Sequence, residues 1–162
     1  MSGAQKNAAA RQAVRASVER INVARDLKKI ELDAEEFLGM SPDGGATLTG
    51  YYRGGVIYRM TTWIGLSYGN DITEYYLDSG RIIFIYERLQ VFGHDSLTGD
   101  VDLSRVQPVF EGRYYFQQGR LTDHMIKGAR PFGESDDEVL PRKIADGIRY
   151  RNLLLRKIQA SR

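Results

Sequence analysis

The chain has no cysteine, and among its 162 residues there are only four prolines, two histidines and one tryptophan. Without cysteine there are no disulfides, zinc ribbons, thiol nucleophiles or iron–sulfur clusters, and no thiol clue to the redox compartment. His94 and His124 show neither a His-Glu-x-x-His pattern nor a paired-histidine spacing, so no metal site is expected. A serine–histidine hydrolase has no Gly-x-Ser-x-Gly elbow to stand on. The glycine patterns that cradle phosphates are also absent, and no cofactor is expected. No apolar run approaches the length of about 18 residues that a membrane span needs. The opening residues, MSGAQKNAAARQ, lack the apolar core of a signal peptide; a cytosolic protein reads this way, and so does an exported one given without its leader.

What is present is ordinary globular material, 42% hydrophobic and 27% charged, at a length suited to one domain. The net charge of +2 conceals an asymmetry: residues 1–30 carry +5, residues 141–162 carry +6, and the segment between carries −9. Either both basic ends fold onto an acidic body, or they are arms for nucleic acid or anionic lipid. Nine of the ten tyrosines lie between 51 and 115, in the acidic segment, while the arginines concentrate in the ends. That separation of aromatics from basic charge argues against nucleic-acid binding.

Residues 1–30 read as a basic helix, with Val14, Val18 and Ile21 on one face. Asp33 and Glu36 form a capping box for a short turn over AEEFL, and SPDGG at 41–45 is turn chemistry. Residues 46–128 are rich in Tyr, Phe, Ile, Thr and Val between glycine turns, and predict an antiparallel meander of about six strands. The polar stretch 94–108 reads as a surface loop between hairpins. Residues 141–160 return to helical spacing, with the start placed at Pro141, a natural first-turn position. The expected fold class is α+β: N-terminal helix, meander, C-terminal helix.

EYYLDSGRIIF (74–84) is echoed by RYYFQQGRLTD (113–123), and more weakly by GYYRGGVIYRM (50–60). Each copy is a double tyrosine, a glycine turn and returning aliphatics. A three-residue loop with glycine in the left-handed position is favoured, because Ser79 and Gln118 tolerate positive φ poorly. Under that register Leu77 closes against Arg81, Tyr76 faces Ile82, Tyr115 faces Leu121, and Arg113 meets Asp123. A two-residue loop pairs Leu77 with Ile82 instead.

These hairpins, with Leu32, Glu35-Glu36-Phe37, Gly44-Gly45, Tyr51-Tyr52, Tyr75-Tyr76-Leu77, Gly80-Arg81, IFIYE at 83–87, Tyr114-Tyr115-Phe116 and Gly119-Arg120, resemble a loose group of uncharacterised bacterial exported proteins and lipoproteins. That group carries Tyr-Tyr-Phe-x-x-Gly-Lys/Arg-Leu hairpins, and the resemblance covers roughly residues 25–128. It implies an envelope location, periplasmic or secreted after signal removal, and it carries no activity.

Side chains for catalysis are few. Asp95, Asp100 and Asp102 share one polar loop but lack the spacing of a calcium loop. Glu74, Glu87 and Glu111 imitate a glycosidase pair only if strand register brings two of them together. The sharper candidate is an aromatic platform of Trp63 and one tyrosine from each of Tyr75/Tyr76 and Tyr114/Tyr115, interleaved with Arg81 and Arg120. The expectation is a non-enzymatic envelope or secreted binding or structural module with a protein or glycan partner. The alternative is a cytosolic immunity or inhibitor protein that offers an acidic sheet face to a basic partner.

Overall fold

The computed structural model describes residues 2–161. In chain order the elements are α1 (Gly3–Val23), β1 (Lys28–Asp33), α2 (Ala34–Leu38), β2 (Ala46–Arg53), β3 (Val56–Gly65), β4 (Gly69–Asp78), β5 (Arg81–His94), β6 (Val101–Gln117), β7 (Arg120–Gly128), a 3-10 turn (Pro131–Gly133) and α3 (Asp136–Ala160). The seven strands form one antiparallel sheet in sequence order, with α1 against one face and α3 against the other. The α+β meander expected from the pattern therefore forms, with one strand more than expected.

The extra strand is β1, at the end of the segment expected to be helical. Ile30 and Leu32 alternate with Lys29, Glu31 and Asp33, and β1 pairs with β2 from Lys28↔Tyr52 to Asp33↔Thr47. Burial of Leu32 and packing of Ile30 on the α3-side core decide for strand over helix. The capping box forms as read, with Asp33 accepting from the Glu36 N–H and Glu36 reaching back to the Asp33 N–H. α3 starts a turn earlier than expected, and Pro141 lies inside it. The proline leaves only the Asp137 carbonyl without a helical donor, and Asp137 is exposed to water. In return the added turn buries Val139 and Leu140 and sets Asp136, Asp137 and Glu138 at the positive end of the helix dipole.

The three hairpins share one solution, and it is not the expected loop. Leu77 pairs with Ile82 and Asp78 with Arg81, which leaves a two-residue turn at Ser79-Gly80. Gln118-Gly119 and Gly54-Gly55 repeat it. Ser79 and Gln118 both adopt φ +51°, so both central positions are left-handed, the turn whose twist matches that of paired strands. The strain of about 1–2 kcal/mol at a non-glycine left-handed residue is outweighed by setting Leu77 opposite Ile82 on the α3-side core. In all three hairpins the third residue after the turn (Tyr58, Ile83, Thr122) is an extra, bulged residue. Because of this, Tyr76 faces Phe84, Tyr115 faces Asp123, and Arg113 faces Met125.

Strand alternation sends one tyrosine of each pair to each helix. Tyr75 and Tyr114 join the α3-side core with Leu48, Met60, Ile85, Phe116, Tyr150 and Leu154; Tyr76 and Tyr115 join the smaller α1-side cluster with Val14 and Phe84. Three of the hydroxyls then tie down helices. Tyr75 donates to the Lys143 carbonyl at 3.0 Å and Tyr114 to Asp136 Oδ1 at 2.8 Å, while the Tyr76 hydroxyl lies 3.0 Å from the Asn22 side-chain amide. Gly147 is what lets α3 descend onto Tyr75, since a Cβ there would stand 2.6 Å from the ring.

The stretch 94–108 is not a loop. β5 runs on to His94 and β6 starts at Val101, forming a two-stranded arm closed by residues 95–100. β7 ends at Gly128 opposite Phe110, so β6 has no β7 partner along the arm. The basic ends fold onto the acidic body: Arg11 pairs with Asp123 at 2.8 Å, Lys143 with Asp71 at 2.9 Å and Lys157 with Glu36 at 3.4 Å. Arg149 and Lys157 also donate to the carbonyls of Phe37 and Glu31, and Arg151 to that of Gly80. No helix among the described residues is long and apolar enough to cross a membrane.

Candidate functional site

The aromatic platform expected from the sequence does not assemble. Tyr75, Tyr76, Tyr114 and Tyr115 are all buried, because a helix covers each face of the sheet where they point. Arg81 and Arg120 lie exposed beside the hairpin turns, and Trp63 sits on β3, on the same face as α1. Of the seven residues only these three remain accessible, and they share no common surface element.

Glu74, Glu87 and Glu111 form no carboxylate pair. In the strand register Glu74 and Glu111 project to the α1 side and Glu87 to the α3 side, and each is claimed by arginine. Asp71, also in the acidic segment, is held by Lys143 at 2.9 Å. Asp95 accepts from the N–H groups of Leu97 and Thr98, and Asp102 from Ser104 and Arg105. Those bonds hold both carboxyls below the usual carboxylate range. Among the described residues no acidic or histidine cluster is placed to hold a metal ion. His94 at the arm and Glu87 under α3 lie seven positions apart on β5 and on opposite faces, so they do not meet in one site.

A polar cluster that pattern reading missed lies under the loop into α3. Arg130 donates to Glu87 Oε1 at 2.7 Å and Oε2 at 3.3 Å, to Asp136 Oδ1 at 2.5 Å and to the Tyr114 hydroxyl at 2.8 Å. Its guanidinium lies 4.2 Å from the Phe110 ring centre. Burial opposes the Arg130 charge, but the bonds and attraction from Glu87 outweigh it and raise the pKa further. Burial together with the bond to Asp136 likewise pushes the Tyr114 hydroxyl well up. Beside them Lys143 Nζ donates to Asp71 at 2.9 Å and to Thr73 at 2.7 Å. Every group here has a partner, so the cluster acts as a clamp holding residues 130–136 to β5 and β6.

What the clamp holds in place is the turn Pro131-Phe132-Gly133. Phe132 adopts φ +65°, a conformation that is strained for an aromatic residue, yet the residue is 80% exposed. Its ring meets Tyr68 edge to face at 5.0 Å. Together these rings form one end of a groove of ≈ 660 Å³ whose other walls are Val91–His94 and Val101, Arg105 and Gln107 of the arm. Three segments far apart in the chain thus meet there: the β3–β4 turn, the arm and the clamped loop. The only local signal in the sequence was Phe between Pro and Gly in a linker, where a buried aromatic is not expected.

A second polar cluster sits on the α1 side. Arg59 reaches Glu74 Oε1 at 2.6 Å and Arg88 reaches Oε2 at 3.2 Å, while Tyr76 donates to Oε1 at 2.9 Å. The buried Nε atoms of both arginines have no partner. Arg59 lies against the rings of Tyr51 and Tyr76, and Arg88 and Arg113 against Tyr86. Arginine and aromatics do meet here, but of the expected residues only the buried Tyr76 takes part. Comparison of the chain with protein-family models, curated proteins and solved structures gives no match.

Proposed function

We propose that the protein is a non-enzymatic binding module that seats an apolar side chain of an extended protein segment in the groove between Tyr68, Phe132 and the arm. The reading rests on one observation: a strained, exposed phenylalanine held outward by a fully satisfied buried clamp. Burying Phe132 inward would remove its ring from water, and relaxing its φ would relieve strain. A groove with aromatic walls and the polar groups of His94, Arg105 and Gln107 at its side suits a hydrophobic anchor flanked by peptide groups. Beside it, the arm segment of β6 has a backbone edge with no β7 neighbour, along which an extended segment can lie. An envelope location, periplasmic or secreted, is supported by the hairpin resemblance and is the compartment we assign to this role.

Selection from a displayed random-peptide library tests the reading. Peptides that carry a large apolar residue are expected to be enriched, and Tyr68→Ala or Phe132→Gly to weaken them about tenfold or more. Phe132→Gly fits the left-handed backbone, so its melting temperature should match or exceed that of the parent. Failure to enrich peptides, or peptides indifferent to both substitutions, would overturn the assignment.

A further inference from the structure

The two edges of the sheet are treated differently. β1 is six residues long, opens with Lys28 and Lys29, and has its Glu31 carbonyl covered by Lys157 Nζ at 2.8 Å. Such short, lysine-bearing and covered edges resist pairing with other chains. β7 is nine residues long, contains no proline and has Leu121, Met125 and Ile126 substantially exposed.

Two bonds reveal which of its backbone groups face away from β6. The His124 N–H turns to the neighbouring Asp123 carboxylate at 2.8 Å rather than to β6, and the Ala129 N–H bonds to the Val109 carbonyl at 3.1 Å. By the alternation of an antiparallel ladder, Met125 and Lys127 then bond to β6, while His124, Ile126 and Gly128 point outward. Outward groups must meet outward groups in any added strand.

A second copy satisfies this condition when β7 pairs antiparallel with itself about Met125. His124 then faces Ile126 of the second copy, outward group to outward group, on both sides of the axis. The same register sets Asp123, which within one chain holds Arg11 at 2.8 Å, opposite Lys127 twice on the α1 side, and Lys127 makes no ion pair among the described residues of one chain. Centring on His124 instead sets Asp123 against Met125, and centring on Asp123 sets that carboxylate against itself. On the α3 side, Ile126 of the second copy falls beside an open hollow lined by Leu121, Leu140, Pro141 and Ile144, with His124, Asp136 and Asp137 at its rim. The geometry points to a second copy of this chain on β7, joining two seven-stranded sheets into one through a two-fold axis at Met125.

Sedimentation velocity of the full chain at low salt, up to about 100 µM, should show a concentration-dependent dimer. Lys127→Asp sets like charges across the axis and should raise the dissociation constant about tenfold, whereas Lys127→Arg keeps the sign and should leave it unchanged. Ile126→Pro removes an outward N–H without taking a bond from β6 and should abolish the dimer, with circular dichroism reporting the fold. Should the proline variant fail to fold, the charge reversal alone decides. A monomer throughout the range, or a dimer insensitive to the charge reversal, would overturn the inference.

Discussion

Glu74 and Glu87 stand on neighbouring strands of one sheet, and both bind arginine, but in different surroundings. The Glu87 and Arg130 side chains are 2% and 3% exposed, whereas Glu74 is 11% exposed and its partners Arg59 and Arg88 are 28% and 35% exposed. At Glu87 each guanidinium nitrogen of Arg130 has an acceptor; at Glu74 two buried Nε atoms have none. The difference follows from coverage. The loop entering α3 closes over Glu87, while α1 packs mainly across β5–β7 and leaves Glu74 at the border of its shelter. A sealed pair with complete bonding fixes geometry; a half-open one tolerates rearrangement.

The largest expected consequence is at the sealed pair. Arg130→Ala leaves Glu87 in the interior with only Lys143 at 4.0 Å and releases Tyr114 and Asp136, and should cost about 3–5 kcal/mol in urea denaturation. If the loss is as small as that of an exposed pair, the clamp is not holding the loop. The next effect is alkaline and involves both faces. Burial, with smaller contributions from nearby carboxylates, pushes Tyr76 and Tyr150 up to about 12, and Tyr75 is driven up strongly by burial. The folded chain therefore keeps these protons where the unfolded chain releases them. Stability should hold below about pH 10 and fall as pH rises through about 12. Absorbance near 295 nm should show tyrosinate from these residues appearing together with loss of the near-ultraviolet circular dichroism; free titration in an intact fold would count against their burial. The smallest effect belongs to the half-open pair. Glu74→Gln leaves its arginines in reach of water and should cost about 1 kcal/mol or less, and a larger loss would mean that this cluster too is sealed.

How much of this was legible depends on whether the deciding interaction is local. The capping box at Asp33 and Glu36 was readable because donor and acceptor lie three positions apart. The meander was readable because aromatic and β-branched runs alternate with glycine turns. β1 was not, because KKIELD fits a helix until β2 offers it an edge. The turn at Ser79 was misread for a related reason: local preference opposes positive φ, and only the Leu77–Ile82 pairing beneath α3 overrides it. The platform failed because period-two alternation tells which tyrosines share a face and says nothing of what covers that face.

Arg130 and Phe132 were hidden more deeply. Their neighbours Glu87, Tyr114 and Tyr68 come from three different strands or turns, and no spacing in the sequence announces that meeting. By itself the sequence determined the type of most elements, the α+β class and the repeated hairpin, because propensity, capping and turn chemistry act within a few residues. The tertiary structure alone decided the register of the hairpins, the two-sided burial of the tyrosine pairs and the outward phenylalanine. Each of those depends on burial and ion pairing between segments far apart in the chain, and those energies exceed the local preferences they override.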